Sequence, residues 1–190
     1  YIDFLNIVEK DKYRRKQNCL KEIDFIIKRK DKMNLITDPL INKKIPLRVV
    51  HNDTKLNNIM FDYNYHALCL IDLDTTMKGS MLYDFGDALR KGASTTSEDD
   101  NNLNNVLINF ELVESFIEGF LLSVKDIITD NEINLLYEGY YILTLELGMR
   151  FLTDYLDNDN YFTLDENQKK NRPDINLDRA KNQLKLFIWE

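Results

Sequence analysis

Four polar side chains in one stretch have the types and spacing that phosphoryl transfer needs. His51, Asp53 and Asn58 form an HxDxxxxN pattern, and Asp72 follows two short apolar runs separated by a turn. Transfer of a phosphoryl group from ATP needs a carboxylate that orients and deprotonates the acceptor hydroxyl, and oxygen ligands that hold Mg²⁺ against the phosphates. Asp53 has the chemistry of the base, and the side-chain oxygens of Asn58 and Asp72 suit Mg²⁺. The sequence therefore predicts a kinase site that uses ATP as donor and Mg²⁺ as cofactor.

A second aspartate competes with Asp72 for the metal. Asp84, Phe85 and Gly86 spell the DFG sequence that binds magnesium in protein kinases. In that arrangement, however, the metal-binding Asp ends the second strand of the hairpin that directly follows the catalytic loop, and Asp72 holds that place here. We therefore assign the metal to Asp72. We expect Asp84 to brace a helix start or a loop by accepting hydrogen bonds from backbone N–H groups, with those of the His51 loop as candidates.

The segments around these residues predict the elements that position them. A β-branched run at residues 47–50 predicts a strand that leads to the HxDxxxxN loop, and residues 58–61 and 67–71 predict a hairpin that returns the chain from Asn58 to Asp72. Apolar residues at three- and four-residue steps predict helices before residue 34 and after residue 105. The predicted fold class is mainly α with a small β-hairpin.

Local signals add three details to this prediction. Residues 37–46, punctuated by two prolines, predict a connection, and the polar stretch 78–105 predicts mostly loop with a short helix at residues 81–89. The Thr-x-x-Glu pattern at residues 129–132 has the form of a capping box and predicts the start of a long helix. We expect one domain with leading helices and a connection (1–46), catalytic and metal loops (47–105) and a helical subdomain (106–190).

The catalytic and metal-binding segments resemble those of the aminoglycoside phosphotransferase and choline kinase superfamily, in which an HxDxxxxN loop precedes a metal-binding Asp in an I-D-x-x segment. Residues 71–75 (IDLDT), 83–90 (YDFGDALR), 92–95 (GAST) and 146–156 (ELGMRFLTDYL) look like the N-acetylhexosamine 1-kinase branch. The resemblance extends from about residue 47 to the C-terminus. It implies the C-terminal lobe of a protein-kinase-like α+β fold, and an enzyme of carbohydrate metabolism that phosphorylates the anomeric hydroxyl of GlcNAc or GalNAc with ATP and Mg²⁺.

The resemblance also implies roles for single residues. It makes Asp53 the catalytic base, His51 a catalytic-loop residue that shapes the loop, and Asn58 and Asp72 the Mg²⁺ ligands. Asp74 is a candidate for a carboxylate near the metal, and a solvated loop acid is an equally good interpretation.

Four more polar residues are candidates for contacts with sugar hydroxyls, since planar polar groups fix the orientation of a sugar. They are Asp87, Arg90, Arg150 and Asp154. A salt-bridged face on two helices explains the same residues equally well.

Other interpretations compete with each of these assignments. An Asp in a loop most often forms an Asx turn or a helix cap, and only the joint occurrence with Asn58 and Asp72 favours a catalytic Asp53. A His at a strand end is usually structural, which is also the role favoured for His51. At the level of the protein, the alternatives are a choline, homoserine or aminoglycoside kinase of the same superfamily, and a non-catalytic pseudokinase module that binds a partner.

The sequence departs from a complete kinase in one respect. No segment before His51 has a glycine-rich phosphate loop or a strand lysine in a V-A-I-K setting, and the first glycine of the chain is Gly79. We therefore expect the nucleotide-binding N-terminal lobe to be absent from this chain and to be its partner in the same protein. The chain by itself should be inactive and should bind Mg-ATP weakly.

Composition excludes several classes of partner. The 190 residues carry a formal net charge of −7, which opposes binding to nucleic-acid phosphates. No apolar run approaches the ~18 residues of a membrane span. Cys19 and Cys69 form no CxxC pair, and no signal peptide opens the chain. These features predict a cytoplasmic protein without a nucleic-acid or membrane partner.

Overall fold

The structure, a computed structural model, describes residues 1–187 and is mainly helical. Its α-helices are α1 (Ile2–Lys10), α2 (Leu20–Ile27), α3 (Thr37–Ile41), α4 (Met81–Ala93), α5 (Phe110–Val124), α6 (Asp130–Ile133), α7 (Leu136–Leu156), α8 (Glu166–Asn171) and α9 (Ile175–Phe187). Its strands are β1 (Arg48–Val50), β2 (Ile59–Phe61), β3 (Ala67–Leu70) and β4 (Met77–Gly79). Within the described residues the strands form two two-stranded antiparallel sheets, so the predicted class, mainly α with a small β-hairpin, is confirmed.

These elements form two compact units. The first comprises Tyr1–Lys32, Thr95–Leu107 and Thr144–Glu190, and the second comprises Met33–Ser94 and Ile108–Leu143. Residues 188–190 of the first unit lie outside the described part of the chain. The residues of the predicted catalytic and metal site all belong to the second unit. The expectation of one domain stays a prediction.

The first unit is a helical assembly with an apolar core. Phe4 of α1, Ile26 of α2 and Leu152 of α7 are almost completely buried, and burying a side chain of this size contributes about 1.5–3 kcal/mol. Helices α2 and α9 meet at Phe25 and Phe187, whose rings pack edge to face with centroids 5.3 Å apart. Side chains of α1, α2, α7 and α9 therefore all contribute to the apolar packing of this unit.

Strand β1 brings the chain to His51 and is held by an ion pair at its first residue. Arg48 donates two hydrogen bonds of 2.7 Å to the buried carboxylate of Glu132, which also accepts from the backbone and hydroxyl of Thr129. Burial by itself would raise the pKa of Glu132, but the hydrogen bonds from Arg48 and Thr129 outweigh it and hold that pKa below its usual value. The stability that this contact contributes is therefore present above the carboxyl's unfolded pKa and is lost as the pH falls through the lower, folded value.

Strand β4 pairs antiparallel with β1, in the register Arg48 to Gly79 and Val50 to Met77. The sequence of β4, Met-Lys-Gly, has neither β-branched residues nor alternation, so no local pattern indicates a strand there. Pairing with β1 creates it, and this ladder is formed by residues about 30 positions apart. A Cβ on Gly79 would approach Cγ2 of Val50 to 2.7 Å, so glycine also allows this close pairing.

The predicted hairpin is present as β2 and β3. Ile59 pairs with Leu70 and Met60 with Cys69, and the backbone N–H of Ile71 donates to the carbonyl of Asn58 at 2.9 Å. The turn is stabilised by Asp62, whose carboxylate accepts from the backbone N–H groups of residues 64 and 66. The two ends of the hairpin therefore lie side by side, which brings Asp72 next to Asn58.

Helix α4 is longer than the sequence predicts. It starts after Ser80, whose hydroxyl accepts from the backbone N–H of Leu82, and it continues to Ala93 rather than ending near residue 89. Its last turn contains Arg90, Lys91 and Gly92, which lack an apolar pattern. Arg90 and Ala93 are both buried in the fold, and Arg90 also pairs with Asp87 one turn earlier, so packing extends the helix through this turn.

Two other segments also differ from the sequence prediction. The capping box of Thr129 and Glu132 is present, but it opens the four-residue helix α6, and α7 begins separately after an i→i−3 hydrogen bond from Leu135 to Glu132. The predicted connection at residues 37–46 contains helix α3, in which Pro39 stands in the first turn, where a missing backbone N–H costs nothing.

No helix within residues 1–187 has both the length and the apolar character that a membrane span requires.

Candidate active site

Helix α4 holds the backbone of the HxDxxxxN loop through Asp84. Its two carboxylate oxygens accept hydrogen bonds from the backbone N–H groups of His51, at 2.7 Å, and Asn52, at 2.8 Å. Its carbonyl oxygen accepts from the hydroxyl of Thr54 at 2.9 Å. Both carboxylate oxygens thus accept hydrogen bonds from backbone N–H groups, and the predicted bracing role of Asp84 in the His51 loop is confirmed.

His51 links this loop to the segment that carries Asp72. Its Nε2 lies 3.0 Å from the carbonyl oxygen of Ile71, and because a carbonyl only accepts, Nε2 is the protonated nitrogen in this contact. The carbonyl of His51 in turn accepts from the hydroxyl of Thr75 at 2.6 Å. The ring is buried, and these are the contacts of a residue that shapes the loop.

Asn58 fixes the orientation of Asp53. Its Nδ2 donates to the carboxylate Oδ2 of Asp53 at 3.0 Å and to the Asp53 carbonyl at 2.9 Å. Asn58 is only 3% exposed, so its amide is held by packing as well as by these bonds. Because Nδ2 of the amide faces the Asp53 carboxylate, Oδ1 of the same amide points away from it. This oxygen accepts no hydrogen bond from residues 1–187.

Lys55 joins Asp53 to Asp72. Its Nζ lies 2.6 Å from Oδ2 of Asp53 and 3.6 Å from Oδ2 of Asp72. Asp72 follows β3 in the left-handed region, with φ 61°, and 49% of its side chain is exposed. The structure therefore brings the three predicted residues, Asp53, Asn58 and Asp72, into one site, with a lysine ammonium between the two carboxylates.

A second lysine faces the other oxygen of Asp53. The Nζ of Lys91, from the last turn of α4, lies 3.6 Å from Oδ1 of Asp53 and 3.6 Å from Oδ2 of Asp87. Sequence reasoning missed both lysines. Lys55 lies within the HxDxxxxN loop, and its position two residues after Asp53 was an available signal. Lys91 carries no comparable signal, because only the folded chain brings α4 against the loop.

These groups set the charge state of Asp53. Burial by itself would raise the pKa of this carboxyl, but hydrogen bonds from Lys55 and Asn58, together with the charges of Lys91 and Lys55, outweigh burial and lower the pKa below its usual value. The Asp53 hydrogen bond in turn raises the pKa of Lys55, with a smaller contribution from Asp72. Asp53 is therefore ionised at neutral pH, as a group that accepts a proton must be.

The donor atoms at the open end of the hairpin fit Mg²⁺. The ion prefers amide and carboxylate oxygens and keeps several of its waters, so two protein ligands suffice. Asn58 offers an Oδ1 that accepts no hydrogen bond from residues 1–187, and the half-exposed carboxylate of Asp72 lies 3.6 Å from Nζ of Lys55. Within residues 1–187, no group of three or more His, Cys, Asp and Glu side chains could hold a metal by itself. The predicted ligand Asn58 is not one of those residue types.

A cavity of about 270 Å³ opens beside these residues. Its polar lining includes Asp53 and Lys55, and its apolar wall includes Phe85, Phe116 and Phe120. The ring centroid of Phe85 lies 5.5 Å from that of Phe116 and 4.9 Å from that of Phe120, so the three rings form one aromatic cluster. A molecule in this active-site cavity would contact aromatic rings on one side and the Asp53 carboxylate on the other.

Two of the residues predicted to contact sugar lie in the same unit as Asp53. Asp87 contacts the site through Lys91, and its Oδ1 accepts from the guanidinium of Arg90 at 2.7 Å. Arg90 is almost completely buried. Asp74 lies in a short 3₁₀ turn, Leu73–Thr75, and is exposed, which fits a solvated loop acid. A role of these three residues in binding stays a prediction.

The other two predicted sugar contacts, Arg150 and Asp154, belong to the first unit and have structural partners there. The buried carboxylate of Asp154 accepts from the backbone N–H groups of Tyr161, at 2.8 Å, and Phe162, at 2.9 Å. Arg150 donates to the hydroxyl of Tyr161 at 3.0 Å and lies 3.7 Å from Glu146. Arg150 therefore forms an ion pair within α7, and Asp154 holds loop backbone rather than a cation of a second helix. A sugar contact of either residue stays a prediction.

The carboxylates of Asp53 and Asp72 and the amide of Asn58 are thus gathered on a loop and a hairpin of a mainly helical fold. The model of the phosphotransferase enzyme family, APH, matches residues 5–115, which include the HxDxxxxN loop, Asp72 and helix α4. This match covers more than half of the chain, and the chain belongs to this phosphotransferase family. The predicted superfamily and the kinase-like lobe are thereby confirmed, and kinases of this family generally use ATP and Mg²⁺.

Proposed function

We propose that the chain is the catalytic lobe of a kinase that transfers the γ-phosphoryl group of ATP to a hydroxyl of a small molecule, the anomeric hydroxyl of an N-acetylhexosamine. The observation that carries this proposal is the arrangement of Asp53, which Asn58 orients and Lys55 connects to Asp72. We also propose a cytoplasmic location, which the two free cysteines, Cys19 and Cys69, support.

In this mechanism Asp53 accepts the hydrogen bond of the acceptor hydroxyl. As the hydroxyl oxygen attacks the γ-phosphorus, the bond to the bridging oxygen of ATP breaks, its electron pair stays with ADP, and the hydroxyl proton passes to Asp53. Asn58 keeps the carboxylate aligned, and Lys55 places a positive charge beside the reacting groups. Asn58 and Asp72 would hold Mg²⁺, which would supply positive charge to offset the negative charge on the transferred phosphoryl group.

The lining of the active-site cavity supports an uncharged acceptor with apolar parts. The C–H face of a sugar ring and the methyl of an N-acetyl group pack well against aromatic rings, and Phe85, Phe116 and Phe120 offer three. The lining contains two acidic groups. Asp53 is the proposed base, and the carboxylate of Asp84 already accepts hydrogen bonds from the backbone N–H groups of His51 and Asn52. A polycationic aminoglycoside would need more free carboxylates than this lining provides.

The same aromatic cluster favours choline as a second candidate. A quaternary ammonium group binds to the faces of aromatic rings through cation–π attraction, and the three phenylalanines beside Asp53 offer such faces. The hydroxyl of choline is two carbons from its charged nitrogen, so one molecule can reach both the rings and the carboxylate.

An acceptor panel on the complete protein separates these candidates. With ATP and Mg²⁺, GlcNAc and GalNAc should be phosphorylated, and glucose, which lacks the acetamido group, should have a kcat/KM at least about 10-fold lower, since one missing group in a pocket costs about 1–3 kcal/mol. The rates of formation of ADP and of the sugar 1-phosphate measure the turnover of each sugar. Turnover of choline, homoserine or an aminoglycoside without turnover of GlcNAc would discard the sugar assignment.

We further propose that a nucleotide-binding lobe of the same protein covers the hairpin. Exposed apolar side chains on and just after β2 and β3 are Met60, Phe61, Leu68, Leu70, Ile71 and Leu73. Such a group of side chains beside a binding site is typical of a surface that another part of the protein covers. The covering part would then meet Asn58 and Asp72 at the hairpin's open end.

Calorimetry tests this second proposal. This chain alone should bind Mg-ATP weakly, because it supplies the metal ligands without contacts for the adenine and most of the triphosphate. The complete protein with both lobes should bind it at least about 100-fold more tightly, a difference of about 2.7 kcal/mol. Equal affinity for the chain and the complete protein would refute the missing-lobe proposal.

A further inference from the structure

We propose that Lys91 is a positioning residue for the catalytic base, and that helix α4 uses it to hold the free oxygen of the Asp53 carboxylate. The inference rests on the proposed function, in which Asp53 accepts the acceptor's proton. It adds a residue outside the HxDxxxxN loop and the metal ligands to the transfer machinery.

The contacts of the Asp53 carboxylate differ between its two oxygens. Oδ2 is held by Lys55 at 2.6 Å and by Asn58 at 3.0 Å, and both of these residues belong to the same loop as Asp53. Oδ1 accepts no hydrogen bond from residues 1–187, and its ion pair with Nζ of Lys91 is longer, at 3.6 Å. This looser contact leaves lone-pair directions of Oδ1 open to an acceptor hydroxyl, while the charge of Lys91 limits rotation of the carboxylate.

Lys91 is itself anchored. Its Nζ lies 3.6 Å from Oδ2 of Asp87, one turn earlier on α4, and Asp87 is in turn fixed by the buried Arg90 at 2.7 Å. Only 30% of the Lys91 side chain is exposed. The ammonium group therefore lies between two carboxylates, one of its own helix and one of the catalytic loop, rather than extending into solvent.

The same helix fixes the backbone of the loop. Asp84, seven residues before Lys91, accepts from the N–H groups of His51 and Asn52. Seven residues are about two helical turns, so Asp84 and Lys91 face the loop from one side of α4. Helix α4 thus positions the loop backbone at one end and the carboxylate of Asp53 at the other.

The charged and titratable groups around Asp53 come from two sides. The loop and hairpin contribute Lys55, Asp72 and His51, and α4 contributes Lys91 with Asp87 and Asp84. Lys91 is one of the cations that lower the pKa of Asp53.

NMR of the full chain at pH 7 tests this directly, without nucleotide or acceptor. The side-chain ¹³C carboxyl resonance of Asp53, assigned from its absence in Asp53→Asn, should shift in Lys91→Met, because Oδ1 loses its ion-pair partner and the carboxylate reorients. Lys91→Arg should restore the wild-type resonance, and Lys125→Met, which removes a lysine at the exposed end of α5, should leave it unchanged. An Asp53 resonance that is the same in Lys91→Met and in the wild type would overturn the proposal, even if the melting temperature fell.

Kinetics of the complete protein give the second readout. Lys91→Met should lower kcat by about 10- to 100-fold with KM nearly unchanged, the cost of a misplaced catalytic group, while Lys91→Arg recovers most of the rate. A change in KM alone would instead identify Lys91 as an acceptor contact and overturn the positioning role. If the wild type phosphorylates no acceptor, the kinase proposal fails, and the Asp53 resonance still decides whether Lys91 positions Asp53.

Discussion

Replacing Asp53 by Asn should lower kcat of the complete protein by at least about 10²-fold, the usual contribution of a general base. Asparagine has the same shape and keeps an oxygen that can accept from Lys55 or Asn58, but its amide cannot take up the proton of the acceptor hydroxyl. The rate of ADP formation with GlcNAc as acceptor measures the effect.

Asp126→Asn is the matched control, because Asp126 is an exposed acid after α5 in the same unit and its loss should leave kcat within a factor of two, as expected of a surface substitution. Equal melting temperatures of the two variants would exclude unfolding as the cause. The pseudokinase alternative expects Asp53→Asn to behave like the control, and such a result would remove the catalytic assignment.

The largest expected effect on stability is that of Gly86→Ala. Gly86 of α4 packs against Gly139 at the start of α7, and a Cβ on Gly86 would lie 2.5 Å from the carbonyl carbon of Gly139 and 2.8 Å from the backbone nitrogen of Tyr140. Backbone cannot move aside as a flexible side chain can, so the helices would have to separate. The free energy of unfolding should fall by at least about 1–3 kcal/mol, measured by denaturant titration.

Gly92→Ala, in the same helix, should have the opposite sign. Apart from the neighbouring backbone of the same helix, no atom of residues 1–187 lies within 4 Å of a Cβ at Gly92, and alanine in a helix is favoured over glycine by about 1 kcal/mol. A loss of stability from both substitutions would mean that the helix, rather than its contact with α7, is sensitive at these positions. The glycine of the DFG sequence would then lose its structural explanation.

The contrast between Asp72 and Asp84 shows how far local pattern reaches at the site. The hairpin was predicted from two apolar runs and a turn, and its pairing makes Asp72 a neighbour of Asn58. The position of the hairpin therefore identified which aspartate could approach the metal. The same argument predicted that Asp84 braces the His51 loop, and its carboxylate accepts hydrogen bonds from the backbone of that loop.

The prediction was weaker where partners are far apart in the chain. Strand β4 has no signal of its own, the last turn of α4 lacks an apolar pattern, and a capping box proved to open a separate short helix. Arg150 and Asp154 were predicted by residue type as sugar contacts, and the structure adds partners that type did not indicate: a tyrosine hydroxyl and Glu146 for Arg150, and loop backbone for Asp154. Residue type alone cannot distinguish a ligand contact from such contacts within the fold.

The amino-acid sequence by itself determined the parts of the site whose members are close along the chain: the Asp53 to Asn58 loop, the hairpin, and through it the place of Asp72. Short separations leave few conformations, so spacing and turn chemistry are sufficient. Only the tertiary structure decided that α4 faces the loop, that Lys91 reaches Oδ1 of Asp53, and that Gly86 meets Gly139. These contacts join segments about 30 to 50 residues apart, and they depend on the packing of whole helices, which no local pattern encodes.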